Sequence, residues 1–137
     1  MEKDIRPRVG VATIIRKDNK ILLGHRKSTL GFNTWGLPGG KLDFGEDLKD
    51  CAIRELKEEA NLTTTKDNLK LIGVTNAVYD SETHYITVIY EVYYYVGEIK
   101  IMEPDKCSEW KFFAYDELPE KLFLPFKNFI EKEHFIF

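Results

Sequence analysis

Residues 40–62 read GKLDFGEDLKDCAIRELKEEANL, and the fold of the chain is read outward from them. From Glu46 to Ala60 there is neither Gly nor Pro, and the stretch is rich in Glu, Leu, Ala, Lys and Arg. Most of these lose little side-chain freedom in a helix. Glu46 and Asp47 suit a positive N-terminal end, and Asn61 stands where a left-handed residue closes the last turn. The spacing predicts a helix over 46–60. With Leu48 at 0° and about 100° per residue, Ala52 falls at about 40°, Leu56 at about 80° and Cys51 at about 300°. That is an apolar stripe suited to a core. On the same wheel Glu59 falls at about 20°, Glu55 at about 340° and Glu58 at about 280°. Three carboxylates therefore stand on or beside the face that should be buried.

Carboxylates gathered there repel one another, and burial disfavours their charged form. Three resolutions are open: protonation, a basic partner, or a hard divalent cation, since Mg²⁺ and Mn²⁺ prefer oxygen ligands. The preceding Gly39-Gly40 lets the backbone approach a ligand closely. Such a turn can aim carbonyls at a cation or N–H groups at a phosphate. A Gly-rich turn running straight into an acid-lined helix points to a ligand.

On the N-terminal side, Val9, Val11, Ile14 and Ile15 predict a strand over 9–15. A polar turn over 17–20 follows, then a second strand from Ile21 to Arg26 and a long loop over 27–45. On the C-terminal side, residues 69–78 and 85–96 predict two longer strands around an Asp80-Ser81-Glu82 turn. A short strand is expected over 110–114. Pro125 opens a final helix reaching about Glu133. This order predicts a mixed sheet with helices on its faces.

The length of 137 residues suits one domain, 1–137, with one core. Apolar residues at 43% and charged residues at 31% are a globular mix that argues against disorder. A net charge of −3 gives no basic surplus for a nucleic acid duplex. Two cysteines make no disulfide framework and read as thiols of a reducing cytosol. The charged segment Met1 to Arg8 lacks the apolar run of a secretory signal, and no apolar run reaches the ~18 residues of a membrane span. A cytoplasmic protein, without membrane or duplex partners, is expected.

Residues 40–62 resemble the Nudix box: Gly, five residues, Glu, seven residues, Arg-Glu, an aliphatic residue, any residue, Glu-Glu, any residue, Gly, an aliphatic residue. Gly40, Glu46, Arg54, Glu55, Leu56, Glu58, Glu59 and Leu62 match. Asn61 replaces the usual Gly, and Asn is the next-best residue for a left-handed cap. The stretch from Val9 to about Leu118, with Trp35-Gly36-Leu37-Pro38 and Glu109-Trp110, is similar to the family as well. The resemblance implies an α/β/α sandwich, an α+β arrangement with a mixed, partly open sheet between helices. It implies Mg²⁺, or Mn²⁺, held by Glu55, Glu58 and Glu59 with help from the Gly39 carbonyl. It leaves Glu55 open between metal ligand and base, and it makes Glu46 and Arg54 the residues that orient the glutamates. The later-loop carboxylate expected beside the metal is assigned to Glu109. The implied reaction is hydrolysis of a phosphoanhydride in a nucleoside diphosphate derivative, such as a triphosphate cleaved to monophosphate and pyrophosphate.

For the substrate, Arg26 and Lys41 resemble basic residues that reach phosphates in MutT-like triphosphatases. Gly40, Thr87 and Phe123 complete the expected substrate-binding set. Phe32, Trp35, Tyr79 and Tyr85 are further aromatics able to stack on a base. ADP-ribose enzymes usually carry a Pro some fifteen residues past the box, and none occurs between Pro38 and Pro104. Tyr79 stands near where dinucleoside polyphosphate enzymes carry a Tyr, which keeps that class as an alternative. A non-catalytic nucleotide-binding module is the other alternative, and the presence of every box carboxylate argues against it. The partner is a small nucleotide, and a homodimer is allowed.

Overall fold

The computed structural model describes residues 5–137; residues 1–4 of the expected domain, with half of its charged N-terminal segment, lie outside it. Strands β1 (Arg8–Lys17) and β2 (Lys20–Arg26) form a hairpin across Asp18-Asn19. Both turn residues have positive φ, 52° and 63°. That conformation matches the twist of paired strands, and Asp and Asn tolerate it. Five more strands complete a mixed sheet: β3 (Trp35–Gly36), β4 (Gly39–Lys41), β5 (Leu69–Val78), β6 (His84–Val92) and β7 (Cys107–Phe113). The order is β3-β2-β1-β6-β5, with β4 on β1 and β7 on β2. β1 and β6 run parallel, and the other pairs are antiparallel.

Successive side chains of a strand point to opposite faces, so β1 and β2 build two cores at once. Val11, Ile15 and Leu22 pack under helix α1 (Leu48–Ala60), with Cys51, Ala52, Leu56 and Ala60. Ala12, Ile14, Ile21 and Leu23 pack on the opposite face, with Phe126 and Phe129 of α2 (Leu124–Glu131). The result is the expected three-layer α/β/α sandwich. Among the described residues no helix is long and apolar enough to cross a membrane.

The expected structureless loop over 27–45 contains β3 and β4. Their ladders run largely through glycines, Gly24↔Gly36 and Val11↔Gly40, so no apolar alternation marks them. α1 starts at Leu48 rather than Glu46, because Asp47 caps it by accepting from the amides of Lys49 and Asp50. β6 stops at Val92, where its partner β5 begins; Val96 instead bridges Thr63. β7 begins earlier than expected, at Cys107. Asn61 closes α1 in the left-handed region (φ 64°, ψ 26°), as its place in the sequence predicts.

The sheet is split where it matters. β6 holds one edge of β1 over Arg8–Ile15. On the other edge, Gly10–Ala12 pair with β4, whereas Arg16 and Lys17 pair with β2. β4 and β2 therefore diverge from a shared strand, and a cleft opens beside that fork.

Candidate active site

Arg54 organises the acidic end of α1. Its Nε and Nη2 donate to the two carboxylate oxygens of Glu46, at 2.8 and 2.9 Å. Its Nη1 donates to Glu55 (2.9 Å) and Glu58 (3.2 Å), and Nη2 also reaches the Lys41 carbonyl (3.3 Å). One guanidinium thus ties the start of the helix, its middle and strand β4 together, using the planar fork that Lys lacks. These bonds, with a further one from the Asp43 amide, lower the Glu46 pKa from 4.5 to about 2. Glu46 binds its proton more weakly folded than unfolded. Its contribution to stability is therefore present above the ordinary carboxylate range and lost as pH falls through the folded value. At pH 7 the melting temperature of Glu46→Gln should lie below that of wild type, and the gap should close as pH falls from about 4.5 towards 2. Thermal melts across that range check this; a gap undiminished at the acid end would rule out the carboxylate charge as its cause.

Glu55 and Glu59 project from α1 over β4. A Cβ on Gly40 would fall inside contact distance of the Glu55 carboxylate, so the glutamate rests directly on the glycine. The Gly39 amide donates to Glu59 Oε1 at 2.8 Å. Burial and the neighbouring Glu55 push the Glu59 pKa up to about 8, against the opposing pull of the Gly39 amide and Arg26. Burial also raises Glu55, with Arg54 opposing. These are carboxylates with less positive compensation than their burial demands, and a hard divalent cation supplies that compensation with oxygen ligands. The donor set therefore fits Mg²⁺ or Mn²⁺. Among the described residues, no three acidic, His or Cys side chains already stand together at ligand spacing.

The cleft measures about 570 Å³. Its acidic end is lined by Gly39, Gly40, Glu55 and Glu59. Of the substrate-binding residues expected from the sequence, Gly40, Arg26, Lys41, Thr87 and Phe123 all line it. Glu58 does not. Its side chain is 50% exposed and turned to Arg54, whereas Glu55 and Glu59 face the cleft. Glu109 is also away from the cleft. β7 pairs Gly24↔Trp110 but Arg26↔Cys107, so two residues bulge opposite His25. Ser108 takes the bond to His25 Nδ1 (2.7 Å), and Glu109 is left exposed.

The carboxylate that the later loop does bring in is Glu103, which lines the cleft and whose charge raises both Glu55 and Glu59. The C-terminal carbonyls of α1 place it there. Glu59 O accepts from the Met102 amide (3.4 Å) and Trp110 Nε1 (3.3 Å), and Ala60 O from the Lys100 amide (3.1 Å). Lys106, 3.4 Å from Glu103, joins Lys41 along the cleft wall. Arg26 sits inward. It donates through Nε (3.2 Å) and Nη2 (2.9 Å) to the Leu30 carbonyl, and it stacks 3.8 Å from the Phe123 ring centroid. Burial lowers its pKa, partly offset by Glu59. Beyond it the lining turns aromatic, with Tyr79, Tyr85, Phe123 and Phe126. Phe32, by contrast, is exposed, and neither it nor Trp35 lines the cleft.

A NUDIX domain model matches residues 4–133. The chain is 35% identical over 120 residues to an ADP-ribose pyrophosphatase of Methanocaldococcus jannaschii, covering 87% of this chain and 69% of that protein. It is 30% identical over 142 residues to an RNA pyrophosphohydrolase of Caulobacter vibrioides, covering 90% and 79%. Among solved structures it is similar to a MutT NUDIX hydrolase from Burkholderia pseudomallei, with a TM-score of 0.80 and 33% identity over 85% of this chain and 90% of that one.

Proposed function

The chain belongs to the NUDIX family and is a pyrophosphohydrolase acting on nucleotide derivatives, and from that premise we propose that its preferred substrate is a nucleoside triphosphate, cleaved to monophosphate and pyrophosphate. The observation that carries this is the polarity of the cleft. Carboxylates and aromatic rings line it together with Lys41 and Lys106, and Arg26 joins the two groups, interacting with Glu59 on one side and stacking on Phe123 on the other. A triphosphate fits these groups: base among the rings, the α–β anhydride at the glutamates, and the β and γ phosphates toward the cations. The bonds to Leu30 leave the Arg26 Nη1 group for a phosphate oxygen.

Glu59 and Glu103 would hold the divalent ion, with Glu55 beside them. When bound, it neutralises phosphate charge and lowers the pKa of water. The protein's own part is positional. Arg54 fixes Glu55 against Gly40, which leaves Glu55 able to take the proton of an attacking water within hydrogen-bond reach. Glu46 and Arg54 act as positioning residues and touch no substrate. The partial burial of the glutamates limits competing water and strengthens each charge interaction.

A second reading, ADP-ribose hydrolysis, is favoured by the 35% identity to the enzyme of that name. Catalytic efficiencies on triphosphates, ADP-ribose and dinucleoside polyphosphates, with products separated by chromatography, distinguish them. Triphosphates should lead and release pyrophosphate, and chelator should abolish all turnover. ADP-ribose ahead by tenfold or more would establish the second reading, and turnover undiminished in excess chelator would overturn the metal assignment.

A further inference from the structure

Tyr79 carries a polar group that the reading above leaves unused. The residue follows β5 directly, and its amide donates to the Thr83 carbonyl at 2.9 Å, so its backbone is fixed. Its ring lines the cleft, 6.2 Å from Phe123 and 6.4 Å edge-on from Tyr85 between centroids. Its hydroxyl oxygen is buried and has no hydrogen-bond partner. Among the described residues one other buried side-chain oxygen is in that condition, Thr75 Oγ1, and Thr75 does not line the cleft. An unmade hydrogen bond on a buried hydroxyl costs stability, and native structures rarely keep one without a reason. The surroundings suggest the reason. Tyr85, Phe123, Pro125 and Phe126 give this end flat apolar walls that suit a planar heterocycle, while the groups that suit phosphate lie towards Arg26 and the glutamates.

We propose that Tyr79 is a specificity-determining residue whose hydroxyl hydrogen-bonds the nucleobase of the bound nucleotide at the aromatic end of the cleft. A hydroxyl both donates and accepts, so it meets keto and amino base edges alike. It therefore separates nucleotides from phosphorylated sugars without a base more sharply than it separates one base from another. The assignment rests on the nucleotide reading of the cleft, and the test keeps the two apart.

Nucleoside monophosphates contain no anhydride and can be titrated without turnover. Calorimetry with AMP, GMP, CMP, UMP and ribose 5-phosphate on wild type and Tyr79→Phe provides the measurement, alongside thermal melts of the free proteins. Expected is a loss of about 5- to 30-fold in affinity for all four nucleotides, ribose 5-phosphate binding at the wild-type level, and a melting temperature unchanged or raised, since the hydroxyl lost had no partner. A lowered melting temperature with unchanged affinities would mean that the hydroxyl is satisfied within the fold, by an ordered water for example, and would overturn the proposal. An equal loss on ribose 5-phosphate would move the contact to the sugar and overturn it as well. Wild type that binds no monophosphate would overturn the nucleotide reading itself, whereas tight binding unaltered by Tyr79→Phe would overturn the role of Tyr79 alone.

Discussion

Glu59→Gln is expected to lower kcat by about 10²- to 10⁴-fold, the range for losing a positioned acid–base or ligand carboxylate, and to raise the melting temperature of the metal-free protein. Both effects have one cause. Glu59 is pressed between α1 and β4, where its carboxylate accepts a hydrogen bond from the Gly39 amide, and burial and Glu55 disfavour its charge. Gln keeps the shape and an acceptor for that amide while removing the charge. The free protein then gains, by about 4 °C for each kcal/mol recovered in a domain this size, and the site loses its innermost anionic oxygens. Glu58→Gln is the contrasting variant. Its side chain is half exposed and paired with Arg54, where an ion pair contributes on the order of 0–1 kcal/mol. Its kcat should stay within about fivefold of wild type, a change of under about 1 kcal/mol in barrier. Steady-state kinetics at saturating Mg²⁺, with melts in chelator, measure both variants. Equal losses in kcat from the two would place Glu58 in the site and overturn the division drawn from their burial.

That division marks the limit of sequence reading here. Helical periodicity put Glu55, Glu58 and Glu59 near one face, because three glutamates on a regular helix have fixed angular relations. It could not rank them. Glu58 lies at the margin of the stripe, and whether it turns inward depends on Arg54, whose fork also takes Glu46 and Lys41 from outside the helix. The three layers, the left-handed Asn61 and the β1–β2 hairpin were legible because alternation, capping and turn chemistry are local. β3 and β4 were not, because glycine ladders carry no hydrophobic pattern. Glu103 was missed for a related reason. Its position follows from amides of the preceding loop finding the last carbonyls of α1, a contact between distant segments that leaves no mark on the residues around Glu103. The bulge in β7 that exposes Glu109 depends likewise on register with β2.

Gly39 and Gly40 are adjacent in one strand, yet alanine at each should fail in a different way. Neither has a positive φ, so space and not backbone conformation demands glycine. A Cβ on Gly39 would sit 2.8 Å from the Ala12 Cα and inside contact distance of the Val11 carbonyl. Both are backbone atoms of the central strand β1, paired on its other edge to β6, and they cannot move without shifting the sheet. Gly39→Ala should therefore cost about 1–3 kcal/mol of stability, as overpacking does, or about 4–12 °C in melting temperature at the same size scaling. The atoms nearest a Cβ on Gly40 are those of the Glu55 carboxylate, the end of a side chain that can rotate away at little structural cost. Gly40→Ala should melt within a few degrees of wild type. Its activity should nevertheless fall by about 10²-fold, because a shift of about 1 Å in a reacting group has that effect, and Glu55 would have left the place where Arg54 and Gly40 hold it. Melts and kcat/KM on the two purified variants separate the outcomes. Near-wild-type activity in Gly40→Ala would mean that the seat of Glu55 against the glycine is incidental, and the proton-accepting role given to Glu55 would fall with it.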